Sequence, residues 1–220
     1  FGEQCADKYA FTRDAQDAYA IEAVQRALAA QASGAFKNEI APVTIAGRKG
    51  DVVIDSDEQP GRCDIGKIGS LKPAFKKDGT ITAASSSSIN DGAAATVMMR
   101  ENDALARGLK PMARVLGHAT HAQEPGWFTT APAPSIAKLL KQVGWSVADV
   151  DLFEVNEAFA VVAMAAMKEL DIPHAKINVN GGACALGHPI GASGARLVVT
   201  LIHALQARGL KRGVASLKRM

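Results

Sequence analysis

The strongest constraint on the fold is a regular alternation of strand-like and helix-like segments in the C-terminal third of the chain. Short apolar runs of strand length alternate there with longer segments that have helical periodicity. The predicted order is a strand at 150–155, a helix at 157–170, a strand at 176–179, a helix at 192–208 and a strand at 213–217. This alternation is typical of an α/β sheet covered by helices rather than of an all-β module.

The preceding residues are less regular. Thr12 is a candidate N-cap for a first long helix, which Gly34 ends, and a second helix opens near Pro134 and ends at Gly144. Between the two helices, from about residue 36 to 88, the short β-like runs "PVTI" and "DVVID" lie among glycine, proline and charged residues. This part is predicted to be irregular and rich in loops, and the four serines that end it are more typical of a flexible connection than of a site.

Charge and cysteine content exclude several classes of protein. The 220 residues are 48% hydrophobic and 21% charged, which suits a globular chain with a core. The net charge of +3 is scattered, which fits a small polyanionic ligand better than nucleic acid. No stretch approaches the ~20 apolar residues of a membrane span. Cys5, Cys63 and Cys184 form neither a disulfide framework nor a metal-binding pair, so a reducing, cytoplasmic location is expected and no metal site is predicted.

Polar side chains follow two of the predicted strands at the points where these strands end. Asn156 and Glu157 follow the first strand, and His188 lies in a glycine-rich loop after the second. Open α/β sheets place ligand groups at such ends, where an imidazole, an amide and free helix N–H groups can form an oxyanion hole. The alternative is structural, because a lone asparagine is often a cap and a histidine beside proline is often part of the packing. The loop spacing GxxxGxxG, from Gly187, matches neither a dinucleotide-binding nor a Walker motif.

Several motifs together resemble the thiolase family of acetyl-CoA C-acyltransferases. "NEAFA" is followed some thirty residues later by "NVNGGACALGHPIGASGAR", and "GRKGD", "LKPAF", "INDGAAA" and "ALQARGLKRGVASL" extend the similarity over nearly the whole chain. The resemblance is strongest to the biosynthetic, acetoacetyl-CoA type. It implies a layered αβαβα fold, of which this chain supplies one βαβ-rich half and most of a loop domain. The implied division is a partial loop domain at 1–89, the tail of the N-terminal half at 90–110, and the C-terminal half at 111–220.

The resemblance also implies roles for individual residues. His188 is expected to activate a nucleophilic cysteine and donate to the thioester oxygen, Asn156 to hold a water that completes the oxyanion hole, and Glu157 to orient these groups. The substrate is a coenzyme A thioester, with no separate cofactor. The residues expected to bind coenzyme A are Ala83, Ser86, Ser87, Phe75, Arg62, Ala158, Phe159 and Phe128. The Arg62 assignment is offset by about one position from the family pattern.

The chain also departs from the family pattern. The nucleophilic cysteine would precede Phe1, and Lys218 stands where a second, proton-abstracting cysteine is expected. Cys184 lies four residues before His188, but a buried cysteine there fits a small apolar residue better than a nucleophile. Because an enzyme that loses its covalent nucleophile loses nearly all its acceleration, this chain alone is predicted to be an inefficient thiolase.

The resemblance leaves partners and alternatives open. A complete member is expected to be a dimer or tetramer, and the helix at 192–208 is expected to pack against a counterpart in the missing N-terminal half. Without that half, a large apolar face of the helix would be exposed. One alternative function is a non-catalytic module that binds coenzyme A or another protein. A ketoacyl synthase is less compatible, because His118, His121, His174 and His203 lie in none of that family's motifs.

Overall fold

The computed structural model describes residues 1–217, so the expected substitution at Lys218 lies outside the described residues. The helices are α1 (Gly2–Tyr9), α2 (Arg13–Ala32), α3 (Glu101–Ala106), α4 (Pro132–Val143), α5 (Ala160–Leu170), α6 (Ala183–Leu186) and α7 (Ser193–Ala207). The strands are β1 (Val43–Ile45), β2 (Val52–Ile54), β3 (Leu152–Val155) and β4 (Gly213–Ser216). Short 3₁₀ turns span Pro60–Arg62, Ile65–Ser70, Pro125–Thr130, Val147–Asp149 and His174–Lys176.

A parallel pair of strands organises the C-terminal half. β3 and β4 run side by side with Leu152 opposite Gly213 and Val155 opposite Ser216. α7 packs on both strands, and α4 packs on α5 on the other side. All four residues of β3 are buried, as is usual for a parallel strand covered on both faces. The predicted strands at 150–155 and 213–217 are therefore confirmed, each slightly shorter than expected.

The predicted strand at 176–179 is wrong. The segment is reduced to a single parallel bridge between Phe153 and Ile177. Asn178 has a φ of 47°, a left-handed conformation that a strand does not permit but that asparagine tolerates. The Asn178 side chain instead bonds to the main chain of Val155, with Nδ2 donating to the carbonyl and Oδ1 accepting from the amide, each at 2.8 Å. An amide side chain thus replaces the expected strand pairing.

The predicted start of the helix at Glu157 is also wrong, because α5 begins only at Ala160. Phe159 is still extended, with a φ of −140°, and residues 158–160 pair with the segment Ser85–Ser88, which we call the serine segment. The Ala160 amide donates to the Ser85 carbonyl at 2.8 Å, and the Ser87 amide donates to the Ala158 carbonyl at 3.1 Å. The expectation of a flexible connection is therefore not met, because main-chain hydrogen bonds hold the serine segment to residues 158–160, just after β3.

Other helix boundaries follow the sequence signals closely. Thr12 caps α2, with its hydroxyl oxygen accepting from the Ala15 amide at 3.1 Å. Gly144 ends α4 with a φ of 71°, and Gly209 follows α7 with a φ of 67°. These left-handed positions stop a helix without the steric cost that a side chain would add. The β-like runs "PVTI" and "DVVID" contain the strands β1 and β2, and the structure shows that these pair as an antiparallel hairpin.

Exposed apolar surface is distributed differently from the expectation. α7 buries Leu197, Leu201 and Ala204, and its most exposed large apolar side chain is Val198, at 36%. The larger exposures lie before α4, where Val97 is 89% exposed, and in the β1–β2 hairpin. The prediction that the helix at 192–208 exposes a large apolar face is therefore wrong, because most of the exposed apolar surface lies on other segments. In the described part of the chain, no helix is both long and apolar enough to cross a membrane.

Candidate active site

His188 lies in the loop between α6 and α7 and is held from three sides. Its main-chain amide donates to the Ser88 carbonyl at 2.9 Å, which ties the loop to the serine segment. Its ring atom Nδ1 lies 2.6 Å from the Ser193 hydroxyl oxygen. Its other ring atom, Nε2, lies 3.4 Å from Nδ2 of Asn156. The structure thus places the imidazole and the carboxamide side by side, as predicted, although the predicted strand before the His188 loop is only a bridge at Ile177.

Asn156 is fixed by the sheet itself. It follows β3 directly, its amide donates to the Ser216 carbonyl of β4 at 3.0 Å, and its side chain is 1% exposed. Its side-chain Oδ1 is buried with no hydrogen-bond partner among residues 1–217. An unpaired buried carbonyl oxygen costs ~1–3 kcal/mol, so this atom is a favourable place for a donor from a bound molecule.

Glu157 lies beneath the pair and is completely buried. Its Oε1 accepts from the Tyr19 hydroxyl at 2.7 Å and from Asn178 Nδ2 at 2.5 Å, and its Oε2 accepts from the Cys184 amide at 3.0 Å. A Cβ on Gly182 would lie inside the van der Waals radius of this carboxylate. Glu157 therefore joins α2, the loop at Asn178 and the start of α6 through one set of hydrogen bonds.

The charge of Glu157 also acts on its neighbours. Burial raises the pKa of the Cys184 thiol well above its usual value, and the nearby Glu157 carboxylate raises it further. The pKa of Tyr19 is raised by the same two causes in the same order. A thiol that stays protonated is a poor nucleophile, which agrees with the expectation that Cys184 is a packing residue.

The serine segment and the start of α5 form a wall next to the imidazole. Ser86 forms an antiparallel bridge with Phe159, and the Ser87 hydroxyl donates to the Ala158 carbonyl at 3.2 Å. The Phe75 ring is 65% exposed and packs edge-on against Phe159, with 5.7 Å between ring centroids. Five of the eight predicted coenzyme A residues are thus joined by direct contacts in one surface that combines aromatic faces with main-chain and hydroxyl groups.

The remaining three predicted coenzyme A residues are placed differently. Ala83 is exposed in the turn that precedes the serine segment. Arg62 is exposed on the 3₁₀ turn Pro60–Arg62, and its guanidinium pairs with Glu58 at 2.9 Å. Phe128 is half-buried and packs edge-on against Phe1, with 5.4 Å between ring centroids. These contacts give the predicted ligand roles of Arg62 and Phe128 no direct support.

Sequence reasoning missed three residues that hold the site together. Ser193 contacts His188, while Tyr19 and Asn178 bind Glu157. Ser193 lies only five residues after His188 and near the start of the helix predicted at 192–208, so its place in "GHPIGASG" was a usable signal. Tyr19 is 138 residues from Glu157 in sequence, and the local pattern gives no indication of that contact.

Comparison with known proteins agrees with this architecture. Residues 1–102 match the family model for the thiolase N-terminal domain, and residues 109–219 match the model for the thiolase C-terminal domain. The chain is 53% identical over 217 residues to a probable acetyl-CoA acetyltransferase of Dictyostelium discoideum, covering 98% of this chain and 52% of that relative. It is 50% identical to an acetyl-CoA acetyltransferase of Thiocystis violacea, covering 98% and 55%.

Solved structures show the same relationship. The Bacillus anthracis acetyl-CoA acetyltransferase superposes with a TM-score of 0.95 at 45% identity, over 99% of this chain and 55% of that one. Human mitochondrial 3-ketoacyl-CoA thiolase superposes with a TM-score of 0.89 at 35% identity, over 99% and 56%. The chain therefore spans about half the length of the curated relatives it matches. With two family models that match it and these close superpositions, the chain belongs to the thiolase family and has its α/β fold.

Proposed function

We propose that the chain forms part of a thiolase-type acyltransferase that acts on acetyl-CoA and 3-ketoacyl-CoA thioesters, by thiolytic cleavage or the reverse condensation. The observation that carries the proposal is the pair formed by His188 and Asn156, whose ring and amide nitrogens are 3.4 Å apart beside the wall of the serine segment. The names of the relatives, which are acetyl-CoA acetyltransferases and a 3-ketoacyl-CoA thiolase, support the same class of substrate.

The pair suits the chemistry of a thioester carbonyl. When a nucleophile adds to the carbonyl or an enolate forms, negative charge develops on the oxygen. A preorganised donor aimed at that oxygen contributes ~3 kcal/mol of transition-state stabilisation. The imidazole of His188 takes up a thiol proton and then has an N–H to donate, while Asn156 holds a water or a substrate donor at its buried, unpaired Oδ1.

The wall of the serine segment suits the pantetheine arm of coenzyme A. That arm alternates amide groups with short apolar links. The Ser87 hydroxyl donates to the Ala158 carbonyl, so its oxygen is still available to accept from an amide N–H, while the half-buried Phe159 and the exposed Phe75 offer apolar faces for the links. Coenzyme A enters as part of the substrate, and the proposal requires no separate cofactor.

The cysteines within the described residues are poorly suited to act as the nucleophile. Burial raises the pKa of all three thiols, and the Cys5 thiol is fully buried with its sulfur 3.7 Å from the Val161 carbonyl oxygen. A catalytic cysteine instead needs a lowered pKa. We therefore propose that the nucleophilic thiol comes from a polypeptide segment outside residues 1–217, and that residues 1–217 by themselves are catalytically inefficient.

The proposal also covers the oligomeric state of the protein and the compartment in which it acts. The exposed apolar side chains Val97, Met98 and Val115 offer a surface to the segment that carries the nucleophile, and an oligomer, dimeric or tetrameric, is in keeping with this. The three cysteines are free, which supports a reducing compartment such as the cytoplasm.

The experiment measures thiolysis of acetoacetyl-CoA as the loss of enolate absorbance, alongside calorimetric binding of coenzyme A. The chain is tested alone and together with a separately produced N-terminal thiolase half. We expect binding by the chain alone and thiolysis only in the mixture, and we expect His188→Asn to abolish the thiolysis. His118→Asn, at an exposed histidine, is the matched control and should retain it.

Each other outcome has a definite meaning. If the chain binds coenzyme A but the mixture gains no activity, the alternative of a non-catalytic coenzyme A-binding module is favoured. If neither binding nor activity is observed, the proposal is wrong. Thiolysis by the unmixed chain would overturn the assignment of the nucleophile to another segment.

A further inference from the structure

A buried ionic cluster lies between β3, α7 and the turn that follows α2. Glu154 on β3 is 1% exposed, and its Oε2 lies 3.6 Å from Nη1 of Arg196 on α7. Thr200, one turn further along α7, donates its hydroxyl proton to Oε1 of Glu39 at 3.2 Å. The four residues join β3 and α7 to the turn at residues 36–40, and none of them belongs to the predicted site.

Several polar atoms of this cluster are buried without a hydrogen-bond partner. Within residues 1–217, these atoms are both carboxylate oxygens of Glu154, Oε2 of Glu39 and both terminal nitrogens of Arg196. A guanidinium is always protonated and only donates, whereas an ionised carboxylate only accepts. Because a buried charge without a partner is strongly destabilising, we expect the charges of the cluster to cancel.

Two carboxyl groups share one guanidinium in this cluster. If both were ionised, Glu39 and Glu154 would leave one uncompensated negative charge beside Arg196. The other charged groups that act on the cluster are Glu157, Arg208 and Asp57. Glu157 and Arg208 carry opposite charges and Asp57 adds a further carboxyl group, so these neighbours do not supply the missing positive charge. One of the two shared carboxyl groups is therefore expected to be neutral.

Glu154 is better placed than Glu39 to hold the proton. The hydrogen bond from Thr200 favours the ionised form of Glu39, whereas neither oxygen of Glu154 accepts a hydrogen bond. Burial raises the pKa of Glu154 from 4.5 to about 8 and that of Glu39 from 4.5 to about 7. The pair therefore retains a proton near neutral pH, in agreement with the count of charges.

We propose that Glu39, Glu154 and Arg196 form a proton-controlled contact that fastens the turn at residues 36–40 to α7. With one proton on the pair, the cluster is neutral and Glu39 accepts from Thr200. When pH rises, the O–H bond of the neutral carboxyl group breaks, its proton passes to the solvent, and two carboxylates face one guanidinium. Repulsion then loosens the turn, which leads into the β1–β2 hairpin. The contact is independent of the proposed function.

The first test is infrared spectroscopy of the complete chain as a function of pH. A neutral carboxyl group gives a carbonyl stretching band that a carboxylate lacks. We expect this band at neutral pH, its loss as pH rises past about 8, and its absence from Glu154→Gln. In Glu39→Gln the midpoint of the loss should move down by about one pH unit or more, because Glu154 then has Arg196 to itself.

Glu58→Gln is the matched control. Glu58 is an exposed glutamate outside the cluster, and it pairs with Arg62 at 2.9 Å. The same change of charge at this position should leave the carbonyl band and its midpoint unchanged, since Glu58 shares no guanidinium with Glu154.

The second test is hydrogen exchange of the turn, measured by mass spectrometry above the pKa of about 8 of Glu154. The amides of Glu39 and Ile40 donate to the Phe36 carbonyl at 3.0 and 3.1 Å, so their exchange reports whether the turn is closed. We expect several-fold faster exchange in the unaltered chain and in Glu58→Gln than in Glu39→Gln, whose side chain stays neutral. All three chains are compared at the same pH, which removes the effect of base catalysis on exchange.

Three results would each overturn the proposal. These are an unaltered chain without the carbonyl band at neutral pH, an unmoved midpoint in Glu39→Gln, and equal exchange of the turn in Glu39→Gln and Glu58→Gln. If Glu154→Gln fails to fold, Glu39→Gln still decides, because Glu39 is only half-buried. Neither measurement uses coenzyme A or turnover, so the thiolysis and binding tests of the proposed function stay separate.

Discussion

Replacing Gly182 with alanine tests the role of the buried Glu157 most directly. The Gly182 backbone has a φ of −127° and a ψ of −164°, an extended conformation that alanine also adopts. The added Cβ, however, would lie against the Glu157 carboxylate, closer than real Cβ contacts allow. The cost of the substitution therefore comes from displacing that carboxylate and not from backbone strain.

The magnitude follows from what the carboxylate would lose. It accepts hydrogen bonds from Tyr19, Asn178 and Cys184 in a site with no access to water. Hydrogen bonds to a charged group are worth ~1.5–3 kcal/mol each. Overpacking a buried site costs a further ~1–3 kcal/mol. Loss of one such bond plus the overpacking gives about 2.5–6 kcal/mol, a large share of the ~5–15 kcal/mol by which a domain is stable.

Urea denaturation followed by tryptophan fluorescence measures this change in the free energy of unfolding. Gly191→Ala is the control, because no heavy atom lies within 4 Å of the Cβ it would add. We expect the control to be near neutral and Gly182→Ala to unfold at a much lower urea concentration. If the two variants unfold at the same midpoint, the carboxylate is free to move aside and the reasoning about a rigid buried network is refuted.

Two other substitutions, Glu154→Gln and Thr12→Ala, test the effects of a buried carboxyl group and of a helix cap on stability. Burial raises the pKa of Glu154 from 4.5 to about 8, so the folded state binds a proton more tightly than the unfolded state, and the stability from this group should fall as pH rises between those values. Urea midpoints of Glu154→Gln should depend less on pH across that window, and an unchanged dependence would contradict the assignment. Thr12→Ala should cost α2 about 1 kcal/mol through its lost N-cap, seen as a lower thermal midpoint, whereas an equal midpoint would show that the cap contributes nothing.

Local sequence signals were sufficient for most of the C-terminal elements. β3 and β4 were indicated by short apolar runs, and α4 and α7 were bounded by the glycines at 144 and 209. The proximity of His188 and Asn156 was also predicted, by assigning both to the ends of neighbouring strands, although the second of these strands is only a bridge at Ile177. These features depend on residues close in sequence or on the general geometry of parallel sheets.

Contacts between residues distant in sequence decided the rest. The start of α5 was misplaced because the serine segment, some seventy residues earlier, holds residues 158–160 extended. The strand at 176–179 was lost because Asn178 prefers to bond with its side chain to Val155 and Glu157. Neither outcome is encoded in the hydrophobic pattern, which reports burial but not which backbone group a distant polar atom will satisfy.

Under the proposed function, the main-chain bond between His188 and Ser88 would connect the surface that binds coenzyme A to the imidazole that moves the proton. Because one short stretch of backbone both lines the predicted pantetheine surface and carries the amide partner of the histidine, a displacement of that stretch moves the imidazole by a similar amount. A misplacement of about 1 Å is enough to slow a reaction ~100-fold. If the proposed function holds, coenzyme A thioesters with an altered pantetheine arm are therefore expected to lose turnover more than affinity.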